Sequence, residues 1–277
     1  MDRMQQLEYL IGRLLDEEPL WREERARGEL VMPEDPHERF RMYRSLVNVR
    51  PPRPAGASYL QVEDEFLQGE LRAKGVVTLA EVRDGSPLCA DPGILLWQGD
   101  ITRLAVDGIV NAANSRMLGC MAPCHDCIDN AIHTAAGVRL RLACDELMRA
   151  QGAPEPTGTA KITPGFNLPA IYVLHTVGPI VQGDEPTAQD CAALASSYRA
   201  CLDLAALHGL ASVAFCCIST GEFRFPKRPA AEIAVQTVLD WRRRARLEGR
   251  AAPVVAFDVF GDENYAIYQD ILGAHHA

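Results

Sequence analysis

Apolar residues recur at helical spacing in three early segments of the chain. Met4, Leu7, Ile11, Leu14 and Leu15 mark the first, Phe40, Tyr43 and Val47 the second, and Tyr59, Val62, Phe66 and Leu67 the third. Residues 50–57 between the second and third hold Pro51, Pro52 and Pro54, which forbid regular helix and predict a linker. No reactive groups cluster in residues 1 to about 90, so this part reads as a helical extension for packing or partner binding. From Pro92 onward short apolar runs alternate with helical patterns, the signature of an α/β architecture. The predicted strands are Ile94–Gln98, Ala105–Val110, Ile171–His175, Ser212–Cys217 and Pro253–Phe257. The predicted helices are Asp129–Gln151, Thr187–His208, Pro229–Leu247 and Glu263–Leu272. Continuous apolar runs such as Val213–Ile218 fit strands covered on both faces.

Composition narrows the class. The chain has 277 residues, 48% of them hydrophobic, which is ample for a core of one large domain with an extension. A formal net charge of -9 argues against broad contact with nucleic-acid phosphates. No segment approaches the ~18 consecutive apolar residues of a membrane span, and the N-terminus lacks the order of a secretory signal. The nine cysteines are odd in number and mostly scattered, which favours reduced thiols plus one metal cluster and a cytoplasmic setting.

Candidate chemistry gathers in four places. Cys120, Cys124, His125 and Cys127 put four potential zinc ligands within eight positions. Cys124 and Cys127 form a spacing shared with zinc deaminases, but no histidine here has a glutamate two positions later, so that reading fails. No second ligand cluster is evident to close a structural site, so an open, catalytic zinc is favoured. Upstream, a predicted strand runs into Asn111–Asn114, where small residues admit a ligand to the backbone and an Asn amide can bind ribose hydroxyls. Downstream, an apolar strand stops at Ser219, Thr220 and Gly221, a turn whose backbone N–H groups can face a phosphate and whose hydroxyls add donors. Asp100 ends the first strand, either accepting from an exocyclic amine or capping a turn. Asp129 and His133 share a helix face. Asp129 either orients a ligand or favours the helix N-terminus, and His133 reads as a surface or packing residue. His175, alone in a strand, takes no catalytic role.

Taken in order, Gly99–Thr102, Val110–Ser115, Gly119–His133, Thr157–Thr163, Tyr172–Pro179 and Ser219–Pro226 resemble the macrodomain family, in its zinc-containing branch. The resemblance spans roughly residues 92 to 277. It implies a three-layer α/β/α domain with a mixed central sheet over 91–277, carrying the helical extension 1–90. It implies an ADP-ribose cleft in which Asp100 and Ile101 hold the adenine and Asn114 contacts the distal ribose. Ser219, Thr220, Gly221, Glu222 and Phe223 would wrap the diphosphate, mostly through backbone amides. One zinc ion would sit on Cys120, His125 and Cys127, with Cys124 set apart. The implied activity is removal of mono-ADP-ribose from modified protein side chains, with Asn114 positioning the sugar and Asp129 a candidate for the proton chemistry. The alternatives are a reader that binds ADP-ribose without cleaving it, and an O-acetyl-ADP-ribose deacetylase. The expected partner is ADP-ribose or ADP-ribosylated protein, with neither nucleic acid nor membrane involved.

Overall fold

The computed structural model describes residues 1–87, 89 and 91–274. Four N-terminal helices, α1 (Arg3–Asp16), α2 (Pro19–Ala26), α3 (Pro36–Val49) and α4 (Ala57–Lys74), carry the three periodic segments and the additional α2. They share a core of their own, built on Leu7, Leu10, Ile11, Tyr43 and Phe66. Next come β1 (Val77–Thr78) and α5 (Leu79–Gly85). The sequence placed them with the extension, yet β1 pairs with β3 (Leu104–Ala105) and Val82 packs in the second, larger core.

That larger core surrounds a six-stranded sheet. Its strands are β2 (Ile94–Gln98), β4 (Gly108–Ala112), β5 (Ala160–Pro164), β6 (Tyr172–Thr176), β7 (Ser212–Phe215) and β8 (Val254–Val259), in spatial order β2-β8-β7-β4-β6-β5. All neighbours run parallel except β5, which pairs antiparallel with β6. This is the mixed sheet of a three-layer α/β/α fold. Helices α6 (Ile128–Ala136) and α7 (Val138–Gln151) pack on each other, as do α8 (Ala188–Leu207), α9 (Lys227–Leu247) and α10 (Asp262–Ala274) in succession. Full burial of β7 explains its apolar run Val213–Phe215. The strand expected over 105–110 is shifted: Leu104–Ala105 pairs with β1, and the sheet strand begins at Gly108. Gly108 fits there because an added Cβ would meet the Leu174 side chain at 2.5 Å. No helix among the described residues is long and apolar enough to cross a membrane.

The helix expected over 129–151 is two helices, broken at Gly137. That residue has φ +88°, and a Cβ there would stand 2.7 Å from a carboxylate oxygen of Glu63. Glu63, fully buried on α4, is the reason for the break. Its Oε2 accepts the Val138 N–H at 3.1 Å, so it caps the freed start of α7, while Oε1 accepts the hydroxyls of Tyr43 at 3.0 Å and Tyr59 at 3.1 Å. One carboxylate thus joins the extension to the sheet domain. Burial outweighs these three donors and raises Glu63 to about 6.

The native state therefore binds the Glu63 proton more tightly than the unfolded chain. Its contribution is fully present below the ordinary value of 4.5 and is lost as pH rises through about 6. Urea denaturation of the protein and of Glu63→Gln at pH 4.5 and 7 checks this. The wild type is expected to lose about 2 kcal/mol more across that interval than the variant, which has no such proton.

Candidate active site

The carboxyl ends of β2, β4, β7 and β8 form the floor of a cleft, where α/β sheets commonly bind ligands. One compartment, about 960 Å³, is lined by Ala112–Arg116, by Gly119–Asp129 in part, and by Ser219–Phe223. A second, about 610 Å³, lies between α3, α4 and α6 and is lined by Phe40, Leu67, Asp100, Ile101 and Ala131 among others. The two adjoin at Asp126, Cys127, Ile128, Asp258 and Phe260. Asp100, Ile101, Asn114, Cys120, Cys124, His125, Cys127, Asp129 and Ser219–Phe223 line one compartment or the other, whereas Asn111, His133 and His175 line neither.

The loop that follows β4 carries the metal-type ligands. Cys120 Sγ stands 3.6 Å from His125 Nδ1, and these two atoms and Cys127 Sγ all lie within 4.8 Å of one another. Cys124 stays outside the group. Its thiol faces the Arg41 carbonyl at 3.3 Å, its N–H donates to Asn48 Oδ1 at 2.9 Å, and its backbone is left-handed at φ +54°. The other nitrogen of His125, Nε2, lies 3.4 Å from the Glu222 carboxylate, which reaches across from the opposite loop. A carboxylate on the far nitrogen fixes a histidine's orientation, as metal-binding histidines require. Two thiols and one imidazole form the donor set that zinc takes at a three-ligand site, so these residues fit that ion. Burial and the adjacent Cys120 raise the Cys127 thiol to about 12, a cost that a cation at this point offsets.

Residues of α3 hold this loop from outside. Arg44 donates to the His125 carbonyl at 2.6 Å and to Asn130 Oδ1 at 3.0 and 3.1 Å, and it pairs with Asp126 at 3.6 Å. Asn48 binds the Cys124 amide and also donates to Thr134 Oγ1 at 3.2 Å on α6. The sequence offered no signal for Arg44 or Asn48, because their partners lie about eighty positions away.

Asp129 is buried and is not a helix cap; Cys127 takes that position, accepting the Asn130 N–H at 3.4 Å. Asn111 donates to Asp129 Oδ1 at 2.8 Å, Asn114 to Oδ2 at 3.4 Å, and His133 Nε2 lies 3.5 Å from Oδ1. Burial outweighs the Asn111 hydrogen bond and the Arg141 charge, raising Asp129 to about 6. Asn111, at the end of β4, is the residue the sequence underrated. Asn114 also donates to the Gly119 carbonyl at 3.2 Å, tying the strand end to the start of the cysteine loop. His133 packs its ring on Gly119, where a Cβ would approach it to 2.9 Å, so it is a packing residue, buried rather than on the surface.

A second trio, His133, Cys144 and His175, is fully buried and was not apparent in sequence. His175 is satisfied there by Thr163 at 2.9 Å and Asn111 at 3.1 Å, a structural histidine as expected. Burial lowers His175 to about 3 and raises the Cys144 thiol to about 12, leaving a neutral polar layer beneath Asp129.

At the opposite wall, Ser219 takes φ +66° and Arg224 φ +56°, which coils 219–225 into a tight turn. Among the described residues, none pairs with the backbone N–H groups of Gly221, Glu222 or Phe223, which remain available to an anion. Of the two hydroxyls the sequence offered as donors, one is engaged within the turn and the other is without a partner. Thr220 Oγ1 is spent on the Cys217 carbonyl at 3.0 Å, and Ser219 Oγ is buried over Gly178. At the far end Asp100 caps a short 3-10 turn, accepting from Thr102 N at 3.0 Å and from its hydroxyl at 2.5 Å, while its second oxygen faces Lys74 at 3.2 Å. Burial opposes ionisation of Asp100, but these partners together hold it below the usual carboxylate value. Phe260, 82% exposed at the rim of both compartments, was also missed, although an aromatic just beyond a strand was its visible sign.

Residues 110–234 match the family described as Macro domain. A protein-ADP-ribose hydrolase of Treponema medium is 48% identical over 264 residues, covering 95% of this chain and 97% of its own. A protein of the same name from Staphylococcus aureus is 46% identical over 95% of this chain and 94% of its own. Among solved structures, a mutant macrodomain of Oceanobacillus iheyensis with ADPR aligns at a TM-score of 0.58 and 37% identity, over 65% of this chain and 92% of that one. The fold agrees with that of the solved macrodomain, and the chain, like its relatives named protein-ADP-ribose hydrolase, belongs to the macrodomain family.

Proposed function

We propose that this protein removes mono-ADP-ribose from modified protein side chains, with one zinc ion held by Cys120, His125 and Cys127. Hydrolysis of ADP-ribosylated protein is the activity named for relatives that match nearly its whole length. The observation that carries the zinc-dependent reading is the convergence of three soft ligand atoms within 4.8 Å, with the fourth candidate turned away to Arg41. When bound, zinc supplies a Lewis acid that polarises an oxygen ligand at the ribose end of the cleft.

The chain's own residues do the rest. The N–H groups of Gly221, Glu222 and Phe223 receive the diphosphate, and the outward left-handed turn keeps the Glu222 carboxylate on His125 instead of on the phosphate. Asp100 and Ile101 receive the adenine in the second compartment. Asn114 presents its amide to the distal ribose and shares Asp129 with Asn111, so sugar and carboxylate are positioned together. Asp129 is the proton acceptor of this reading. Two amides keep its oxygens oriented, and burial gives it the basicity that an ordinary aspartate lacks.

Release of ADP-ribose from mono-ADP-ribosylated protein, followed by mass spectrometry, tests this reading. Chelation of zinc and His125→Ala are each expected to lower the rate by roughly a hundred-fold or more, with zinc restoring the chelated protein. Release that survives both treatments rejects the zinc-dependent reading, and ADP-ribose binding without release makes the protein a reader. Asp129→Ala is expected to lower kcat by about a hundred-fold while zinc content, measured by atomic emission, stays near one per chain. Arg44→Ala frees the His125 carbonyl and Asn130, so it is expected to weaken zinc binding about ten-fold in competition with a colorimetric chelator.

A further inference from the structure

The junction of the two compartments holds a carboxyl group that neither the sequence motifs nor the proposed mechanism uses. Asp258 lies near the end of β8, paired in register with Trp97 on β2, one strand position before the Val259 carbonyl that receives the Gly99 N–H at 3.1 Å. Its neighbours in the chain, Phe257 and Val259, belong to the core. Asp258 instead lines both compartments while being only 5% exposed, and its Oδ1 is buried without a hydrogen-bond partner. A buried carboxyl oxygen left unpaired is costly, and it persists where a ligand supplies the missing partner. In an otherwise apolar strand, Val254–Val259, it has no packing role that a valine would not fill better.

We infer that Asp258 recognises the purine of bound ADP-ribose, pairing with the exocyclic amine and an adjacent ring nitrogen of adenine. The inference rests on the ADP-ribose reading proposed above. Three features of the site support it. Asp100 and Ile101, the residues that would receive the adenine, line the same compartment as Asp258, and the exposed ring of Phe260 at its rim offers a face for stacking. Asp100 is already ionised beside Lys74 and Thr102, so a second carboxyl in the same compartment retains its proton; burial chiefly, and Asp100 next, hold Asp258 well above the usual carboxylate value. A protonated carboxyl has one donor and one acceptor side by side, the pattern of an Asn side chain. That pattern complements adenine, which sets an amine donor beside a ring-nitrogen acceptor. With N7 as that ring nitrogen, hypoxanthine and guanine set a carbonyl beside it, two acceptors, and leave one half of the pair unmatched.

Calorimetric titration of the full-length protein with ADP-ribose and with its inosine analogue tests the inference. The wild type is expected to bind ADP-ribose roughly ten-fold more tightly or better. Asp258→Asn, which keeps one donor and one acceptor, is expected to preserve that preference. Asp258→Leu, which fills the space without either, is expected to weaken ADP-ribose by about ten-fold and to bring the two ligands level. Equal binding of both ligands by the wild type overturns the inference, as does a preference that survives Asp258→Leu, or an equal loss of both ligands in that variant. Failure of the wild type to bind either ligand rejects the ADP-ribose reading itself, and the role of Asp258 with it.

Discussion

The segment from Gly119 to Cys127 holds two thiols and an imidazole nitrogen within 4.8 Å of one another although it has neither helix nor strand to fix them. Within the loop the His125 N–H donates to the Ala122 carbonyl at 3.3 Å, and most of the remaining order comes from neighbours. Asn114 holds its beginning through the Gly119 carbonyl, and His133 packs on the same glycine. Arg44 and Asn48 hold its centre, and α6 starts from its last cysteine. The remaining anchorage is slight: Ala113, Met117 and Val177 form a small apolar cluster under the loop's entrance. Removing α3 therefore changes the shape of the site without touching a ligand-binding residue. The N-terminal helices are part of the active centre in this physical sense, even though they keep a core of their own.

The joint at Glu63 has a similar logic. A helix that ran unbroken from 128 to 151 would satisfy its own backbone and need nothing from α4. Breaking it at Gly137 leaves the Val138 N–H without a partner inside the helix, and Glu63 fills that need from the other core. The break also lets α6 take its own direction from the cysteine loop over the sheet, which places Asp129 under Asn111 and Asn114. Docking of the extension and placement of the buried carboxylate are thus consequences of one glycine and one glutamate.

The sequence disclosed what depends on short spacing. The cysteine–histidine trio, the strand that ends at the Asn111–Asn114 turn and the phosphate turn at 219–223 are local patterns, and each lines the cleft. The helix periodicities located α1, α3 and α4 because their apolar faces pack together without help from the sheet. Long-range polar contacts left no such trace. Arg44 to Asn130 and Glu63 to Val138 join residues more than seventy positions apart, and neither arginine nor glutamate is unusual on a helix. Strand edges slipped for a related reason. Leu104 and Ala105 are as apolar as a sheet strand, and only their pairing with β1, a strand too short to see in sequence, separates them from β4. Asp258 was visible as a lone acid in an apolar strand, but its meaning depends on which cleft that strand ends in.

The cleft gathers Asp100, Asp129, Glu222 and Asp258 where the proposed diphosphate would bind, in a chain of net charge -9. Four free carboxylates would repel that ligand. Each is offset, protonated more readily or turned aside in a different way. Asp100 is ionised but paired with Lys74, and Glu222 is drawn to His125. Asp129 sits between two amides at the proposed ribose end with the Arg141 charge acting on it, and burial holds Asp258 well above the usual carboxylate value. What remains facing the diphosphate is the ring of backbone N–H groups at 221–223, a partial positive charge that no acid in the cleft cancels. A site of this kind can accept an anion through its bare backbone amides. The same burial leaves Asp129 more basic than an ordinary aspartate and Asp258 a hydrogen-bonding group.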